Sequence, residues 1–207
     1  MAPKVKYTRE QIIDVAVEMT RENGIESVTA RNLAARLGTS SRPLFTAFEN
    51  MEELHAEIKR RVREIYRDYQ KDFKDYKPAF KRHGMQTILF AQTEPQFFRI
   101  LFMQKNEDKT LRESMEEDIA NVDEIIEVIQ RDYGLDEEHA MHLLEHMWIH
   151  TYGISVLCAQ GVCVFEEKEI SRRLSESFIG MLTVLKSDQL QNYANDTSVE
   201  KIGPAES

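Results

Sequence analysis

Residues 28–54 read VTARNLAARLGTSSRPLFTAFENMEEL, and this stretch predicts two short helices joined by a tight turn, with another helix following at once. The first short helix is expected to begin at Thr29, whose hydroxyl can cap a free backbone N–H. Its apolar side is formed by Leu33, Ala34 and Leu37. Gly38 follows, where a helix often ends in a left-handed residue. Two short helices around a glycine-containing turn are the arrangement that presents one helix to the DNA major groove.

The second short helix is predicted to begin at Thr39 or Ser40 and to tolerate Pro43 in its first turn, where no helical hydrogen bond is lost. Its inward residues are expected to be Leu44, Phe45 and Phe48. A further helix begins at Asn50, because Glu53 three residues later completes a capping pattern.

The preceding segment, TREQIIDVAVEMTRENG at residues 8–24, predicts an amphipathic helix that starts with a capping box of Thr8 and Gln11 and ends at Gly24. This helix and the stretch that follows resemble, in the same order, the N-terminal DNA-binding region of TetR-family transcriptional regulators. The specific resemblance covers about the first 55 residues. Beyond them only the size and the helical pattern correspond.

The remaining sequence predicts helices and no strand, because no useful length alternates with period two. Helices are expected over 79–92, from Pro95, over 111–133, over 136–160 and over 166–186. The fold class is therefore all-α, with a helix-turn-helix domain at 1–50, a helical ligand-binding and dimerisation domain at 51–190, and a disordered polar tail at 191–207.

Composition supports a cytoplasmic protein without a membrane span, because no apolar run is long enough to cross a bilayer and no signal peptide begins the chain. The net charge of −9 is unevenly distributed: residues 1–63 carry +2 and residues 64–207 carry −11. The basic excess thus accompanies the predicted helix-turn-helix. Cys158 and Cys163 are too few for a disulfide framework and are interpreted as ordinary thiols, a redox switch being the alternative.

The candidates for DNA contact lie at the start of the first short helix, around the turn and along the recognition helix. They are Thr29, Arg31, Ser40, Ser41, Arg42, Pro43, Phe45 and Thr46, with Lys4 and Lys6 in a basic arm. Arg42 is the first choice for base readout, because a guanidinium matches O6 and N7 of guanine. The resemblance implies phosphate contacts that this sequence lacks, since Phe45, Ala47 and Met51 replace the family's usual tyrosine, aromatic or histidine, and lysine.

Four histidines share one face of the helix predicted at 136–160, within an arc of roughly 80° at 100° per residue. They are His139, His142, His146 and His150. One interpretation is a metal site or a pH switch, with His142 and His146 as weak candidate ligands. The other is an ordinary helix face, partly buried and hydrogen-bonded, and the sequence leaves both open.

The resemblance implies a small-molecule pocket and a dimer in which the last two helices pair with their copies. Candidate pocket residues are Met85, Phe90, Phe98, Phe102, Met103, Trp148 and Tyr152, although a helical core would contain most of them anyway. Candidate interface residues are His150, Gly153, Leu157, Ile170, Leu174, Phe178, Met181 and Leu185.

The sequence thus predicts a homodimeric regulator that binds a palindromic double-stranded operator and represses transcription until a small-molecule effector releases it. The alternative is a helical-bundle metal-binding protein, or a metal-responsive regulator, that uses the histidine face. No enzyme and no cofactor are predicted, because the chain contains no Gly-rich phosphate loop and no assignable Ser-His-Asp or Cys-His set.

Overall fold

The structure is a computed structural model that describes residues 7–71, 79–104, 109–119 and 121–187. All regular secondary structure in these residues is helical, which confirms the all-α prediction. The α-helices are α1 (Arg9–Asn23), α2 (Ala30–Arg36), α3 (Leu44–Ala47), α4 (Met51–Lys71), α5 (Ala79–Thr93), α6 (Pro95–Phe102), α7 (Leu111–Asp118), α8 (Val122–Tyr133), α9 (Glu137–Ala159) and α10 (Glu167–Lys186). A 3-10 turn at Ile25–Ser27 joins α1 to α2.

The helix ends near the N-terminus follow the local capping rules. Thr8 and Gln11 form the predicted capping box of α1, and Gly24 ends that helix at φ 83°. The Thr29 hydroxyl accepts the Asn32 N–H at 3.2 Å and so caps α2. The Asn50 side chain accepts the Glu53 N–H at 2.8 Å at the start of α4. These starts are confirmed because each depends on a side chain three residues from the N–H that it satisfies.

The recognition helix differs from the prediction at its beginning. It was expected from Thr39 or Ser40, but α3 comprises only Leu44–Ala47, and Pro43 precedes it. Residues 41–43 form a turn in which the Ser41 carbonyl accepts the N–H groups of Leu44 (3.1 Å) and Phe45 (3.4 Å). Pro43 has no N–H to donate, so the regular helix begins only at Leu44, while the bond from Phe45 to the Ser41 carbonyl gives the preceding turn a helical spacing.

The single helix predicted over 111–133 is in fact two helices, α7 and α8. Ile119 is extended, at φ −110° and ψ 113°, and Asn121 is left-handed, at φ 60°. Asparagine adopts this conformation at lower cost than most residues. The break allows both Ile119 and Val122 to be buried, with 5% and 6% exposure.

The chain packs into two compact units. The first comprises Met1–Lys109 and Thr151–Ile170, and the second comprises Thr110–His150 and Ser171–Ser207. The predicted domain boundary at residue 50 falls inside the first unit. In that unit α1 packs against α2, α4 and α6 through an apolar stripe on its inner side. The stripe consists of Ile12, Ile13, Ala16, Val17 and Met19, all buried.

In the described part of the chain, no helix combines the length and the apolar character needed to cross a bilayer. The predicted tail at 191–207 and the polar segment 105–108 lie outside the described residues.

Candidate nucleic-acid interface

The recognition helix α3 is too short to be stable alone. It has four residues and no side chain caps its start, whereas an isolated helix needs several turns to offset its nucleation cost. Its position therefore depends on Leu44 and Phe48, which are 1% and 4% exposed. The Phe48 N–H donates to the Leu44 carbonyl at 2.8 Å and closes the helical turn between these two anchors.

Arg9, at the start of α1, holds the end of α3 against α4. Its Nη1 donates to the Ala47 carbonyl at 2.6 Å, and its Nη2 lies 2.8 Å from Glu53 and 3.1 Å from Glu57. Its guanidinium also lies 4.3 Å from the ring centroid of Phe48. One planar side chain of α1 thus contacts both α3 and α4 through the forked geometry that lysine lacks. We call this arrangement the Arg9 clamp.

The two carboxylates of the Arg9 clamp have lowered pKa values because they accept hydrogen bonds and lie beside positive charge. The pKa of Glu53 is lowered first by the hydrogen bond from the Glu49 N–H and then by Arg9. The pKa of Glu57 is lowered by Arg60 and then by Arg9. Both carboxylates therefore remain ionised at neutral pH. Arg9 is occupied by protein groups and positions the recognition helix instead of reading DNA.

The outer side of the turn and of α3 carries the predicted contact residues. Ser40, Ser41, Arg42 and Thr46 are exposed, and Pro43 is half-buried at the helix start. The Thr46 hydroxyl donates to the Arg42 carbonyl at 3.1 Å and so ties the exposed Thr46 to the turn before α3. Arg42 is an exposed cation in the turn that leads into α3.

Phe45 does not face inward as the sequence predicted. It remains 53% exposed, while its neighbour Leu44 occupies the core. In so short a helix only one of two adjacent residues can point at the core, because successive side chains are about 100° apart. The smaller Leu44 takes the inward position between the helices.

The start of α2 supplies a second set of candidates. Arg31 is exposed, and the Thr29 hydroxyl is engaged as the cap. Behind them, the Asn32 side chain donates to the Ser27 carbonyl at 3.0 Å and fixes the preceding turn. Lys4 and Lys6 lie outside the described residues.

Sequence reasoning missed the residues that hold this surface in place. Besides Arg9, these are Tyr7, whose hydroxyl donates to the Leu37 carbonyl at 2.6 Å, and His55, whose Nε2 lies 2.9 Å from the Val28 carbonyl. The latter distance requires the proton on Nε2, because a carbonyl only accepts. One signal in the sequence could have indicated Arg9. Glu53 and Glu57 are one turn apart on α4, and two neighbouring carboxylates favour a cation packed against them.

The arrangement of α1, α2 and α3 defines a helix-turn-helix DNA-binding domain, in which a packed pair of helices presents the exposed side of a third. Residues 12–58 match the family model described as bacterial regulatory proteins, tetR family. Through this domain the chain is similar to the TetR family of regulators, and the resemblance seen in the sequence is confirmed over residues 12–58. It is a DNA-binding transcription regulator.

Among solved structures, the chain is similar to a protein from Mesorhizobium loti MAFF303099 assigned to the TetR-family transcriptional regulators. The two are 16% identical, with a TM-score of 0.48, over 85% of this chain and 95% of the other. No curated protein matches the chain. The family assignment accordingly rests on residues 12–58.

Four predicted pocket residues of the first unit pack together with Tyr66, which was not predicted. We define this aromatic cluster as Tyr66, Phe90, Phe98, Phe102 and Tyr152. Tyr66 contacts Phe90 and Phe102 edge to face, at 4.8 and 5.2 Å between ring centroids. The Tyr152 hydroxyl donates to the Phe102 carbonyl. Of the other candidates, Met85 is fully buried and Met103 is half-buried. Trp148 belongs to the second unit, where its Nε1 donates to Asp118 at 3.2 Å.

The histidine face lies on α9. His142 and His146 stack, with ring centroids 4.6 Å apart, while His139 contacts Asp136 at 2.7 Å. The pKa of His146 is lowered by burial and then by His142, and that of His150 by burial and then by Arg173. Within the described ranges, no group of three or more His, Cys, Asp or Glu side chains is arranged to hold a metal ion.

A groove of about 340 Å³ opens beside this face in the second unit, between α9 and α10. It is lined by His146, Ile149, His150, Ser177, Gly180, Met181 and Val184. Ile149 and Ile179 are 48% and 61% exposed on the same two helices. A side chain built at Gly180 would meet no atom within 4 Å, so another backbone can approach closely there.

Half of the predicted dimer residues lie in the protomer core, which corrects that part of the prediction. Ile170, Leu174, Phe178 and Leu185 are at most 7% exposed. Phe178 packs edge to face on Tyr133, at 5.0 Å between centroids. Of the remaining candidates, Gly153 and Leu157 are exposed, and His150 and Met181 are half-buried. Because α10 is apolar on two sides, the periodicity of the sequence could not distinguish the side that packs inside the protomer from the side that could form an interface. The predicted residues lie mostly on the side inside the protomer.

The two cysteines occupy the end of α9 and the following loop. Cys158 is buried, and burial, with a smaller effect from Cys163, raises the pKa of its thiol to about 12. Its Sγ lies 3.5 Å from Oε1 of Gln92, which also accepts the Phe165 N–H at 2.6 Å. Cys158 therefore has the environment of an unreactive core thiol, whereas Cys163 is half-buried.

Proposed function

We propose that the protein is a homodimeric repressor that binds a two-fold symmetric operator and is released from it by a small-molecule effector. The observation that carries the proposal is the exposed side of the turn and of α3, where Arg42 stands on a packed scaffold built by Leu44, Phe48 and the Arg9 clamp. A guanidinium held on a rigid element is suited to bidentate recognition of guanine.

A second copy of the chain is the proposed partner of the α9 and α10 face. Ile149 and Ile179 expose large apolar surfaces there, and Gly180 leaves room for a neighbouring helix. Two-fold pairing covers the same patch on both subunits. A two-fold operator read by such a dimer would have half-sites about 34–36 Å apart or a multiple of that distance.

The aromatic cluster is the proposed effector region. It joins α4, α5, α6 and α9 within one unit through ring contacts and the Tyr152 hydrogen bond. An apolar ligand that entered beside the half-buried Phe102 would have to displace these rings and move α6. Release of DNA follows only if the ligand binds the DNA-incompetent arrangement more tightly than the DNA-bound one.

A gel shift with DNA flanking the protein's own gene tests the DNA-binding part. The Arg42→Ala variant should bind about tenfold or more weakly and should lose its preference at one base pair. Arg63→Ala is the matched control, because Arg63 is an exposed arginine on α4 outside the turn and α3. Equal effects of the two substitutions would show that Arg42 contributes only its charge.

Sedimentation equilibrium tests the dimer. Ile179→Glu places a charge on the proposed interface and should shift the protein towards monomer, because an unpaired charge is costly to bury. Val128→Glu is the control, since Val128 is 38% exposed on α8. A dimer that resists the first substitution as well as the second would place the interface elsewhere.

A further inference from the structure

Phe45 is an exposed aromatic residue at the centre of the DNA-facing surface. It is 53% exposed, and the residues on either side of it along the chain are the buried Leu44 and the exposed Thr46. A phenyl ring exposed to water does not gain the favourable free energy of burying its apolar surface, whereas a polar residue at this position would lose nothing by exposure. A surface that approaches DNA offers the ring a partner only in the complex.

The geometry places the ring next to the arginine that reads the groove. The Phe45 N–H donates to the Ser41 carbonyl at 3.4 Å, so the turn before α3 has a helical hydrogen bond and helical spacing applies. With Leu44 pointing inward, steps of about 100° put Arg42 and Thr46 on the outer side and Phe45 about 60° from Arg42. On DNA, two positions this close on the same side would meet the same or neighbouring base pairs.

The chemistry of the ring selects its partner. Phenylalanine has no hydroxyl and cannot donate to a phosphate, so this residue does not anchor the backbone by a hydrogen bond. In the major groove the apolar group is the C5-methyl of thymine, which aromatic and threonine side chains contact. The Thr46 hydroxyl donates to the Arg42 carbonyl at 3.1 Å, so it cannot donate that hydrogen to a base without losing this bond.

We propose that Phe45 is a specificity-determining residue that reads the C5-methyl of a thymine adjacent to the base pair read by Arg42. The inference rests on the proposed operator binding and adds one base preference to it. Burial of one methyl group contributes about fourfold in affinity. The operator half-site should accordingly contain a thymine within one or two base steps of the guanine contacted by Arg42.

The experiment pairs removal of the methyl with removal of the ring. A DNA fragment bound by the wild-type protein is first delimited by footprinting, and each thymine within it is then replaced singly by uracil, which lacks only the methyl. Wild-type affinity should fall about fourfold at one position per half-site. Phe45→Ala should bind thymine and uracil DNA equally at that position. Thr46→Ser, which removes the other nearby methyl, should keep the fourfold difference.

The possible results separate the inference from the proposed function. If Phe45→Ala still distinguishes uracil from thymine, or if Thr46→Ser alone abolishes the difference, the assignment to Phe45 is overturned. Indifference of the wild-type protein to every uracil substitution would overturn it as well. Absence of any specific fragment for wild type would instead overturn the operator binding on which it rests. Circular dichroism confirms that each variant is folded, which is expected because both residues are exposed.

Discussion

Substitution of Leu44 by alanine should release the recognition helix from the domain. Leu44 is 1% exposed, is the only buried residue of α3, and lies in a four-residue helix without a capping side chain. Little else within the helix can compensate for its loss. The neighbouring Phe45, 53% exposed, offers a matched control in which a larger side chain is truncated at the surface.

The magnitude follows from what the substitution removes. Leucine to alanine deletes three carbon groups, worth roughly 0.8 kcal/mol each when buried, or about 2.4 kcal/mol of transfer free energy. The residual cavity adds more, but α3 lies at the surface and can partly collapse, so we expect a total of about 3 kcal/mol. This corresponds to an increase of roughly 150-fold in the open population of the segment. Phe45→Ala should change stability by no more than about 0.5 kcal/mol.

Hydrogen exchange measures this opening directly. The Phe48 amide, which donates to the Leu44 carbonyl at 2.8 Å, reports on α3 itself. Its protection should fall about 150-fold in Leu44→Ala and stay unchanged in Phe45→Ala, while amides of the second unit serve as an internal reference. Equal protection in both variants would refute the argument that burial of Leu44 holds α3 in place.

Three further predictions concern other parts of the molecule. Arg9→Lys should weaken operator binding by about five- to tenfold in gel shifts, because lysine cannot contact Ala47 and the two glutamates together. Burial lowers the pKa of His83 from 6.5 to about 4, so the unfolded state takes up a proton first as the pH falls. About 3 kcal/mol of stability, complete above pH 6.5, should then be lost towards pH 4 in urea titrations, and His83→Gln should remove that loss. Iodoacetamide at pH 8 should label Cys163 well before Cys158, whose pKa is about 12, as peptide mass spectrometry would show.

The features that sequence reasoning predicted correctly are those decided within a few residues. The starts of α1, α2 and α4 depend on Thr8, Thr29 and Asn50, each of which caps an N–H three residues away. The ends at Gly24 and Gly38 depend on positive φ angles of 83° and 62°. A capping side chain or a left-handed glycine acts on backbone groups within a few residues, so these helix ends can be predicted without knowledge of the packing.

The features that it missed are decided by neighbours distant in the chain. The break at Ile119 and Asn121 has no glycine or proline to announce it, and it lets both flanking apolar side chains be buried. The inward position in α3 went to Leu44 instead of Phe45 because the packed helices admit one of two adjacent apolar residues. The role of Arg9 requires Ala47, 38 positions away, and Glu57, 48 positions away. A pattern along one helix contains no information about such partners.

The position of α1 explains how an event in the aromatic cluster can reach DNA. At one end of this 15-residue helix Arg9 holds the Ala47 carbonyl of α3 at 2.6 Å. At the other end Arg21 contacts Glu94 at 3.0 Å and lies 4.9 Å from the ring centroid of Phe97, at the beginning of α6. Because the buried side of α1 is packed without a break from Ile12 to Thr20, the helix moves as one body of about 20 Å.

A displacement of α6 therefore either carries α1, and with it α3, or breaks the contacts of Arg21. Either outcome would alter the support of α3, which the proposed release from DNA requires. The proposed effector must consequently act on the position of α6 relative to α1. A ligand that filled space in the cluster without moving α6 would leave operator affinity unchanged however tightly it bound, because it would stabilise both arrangements equally.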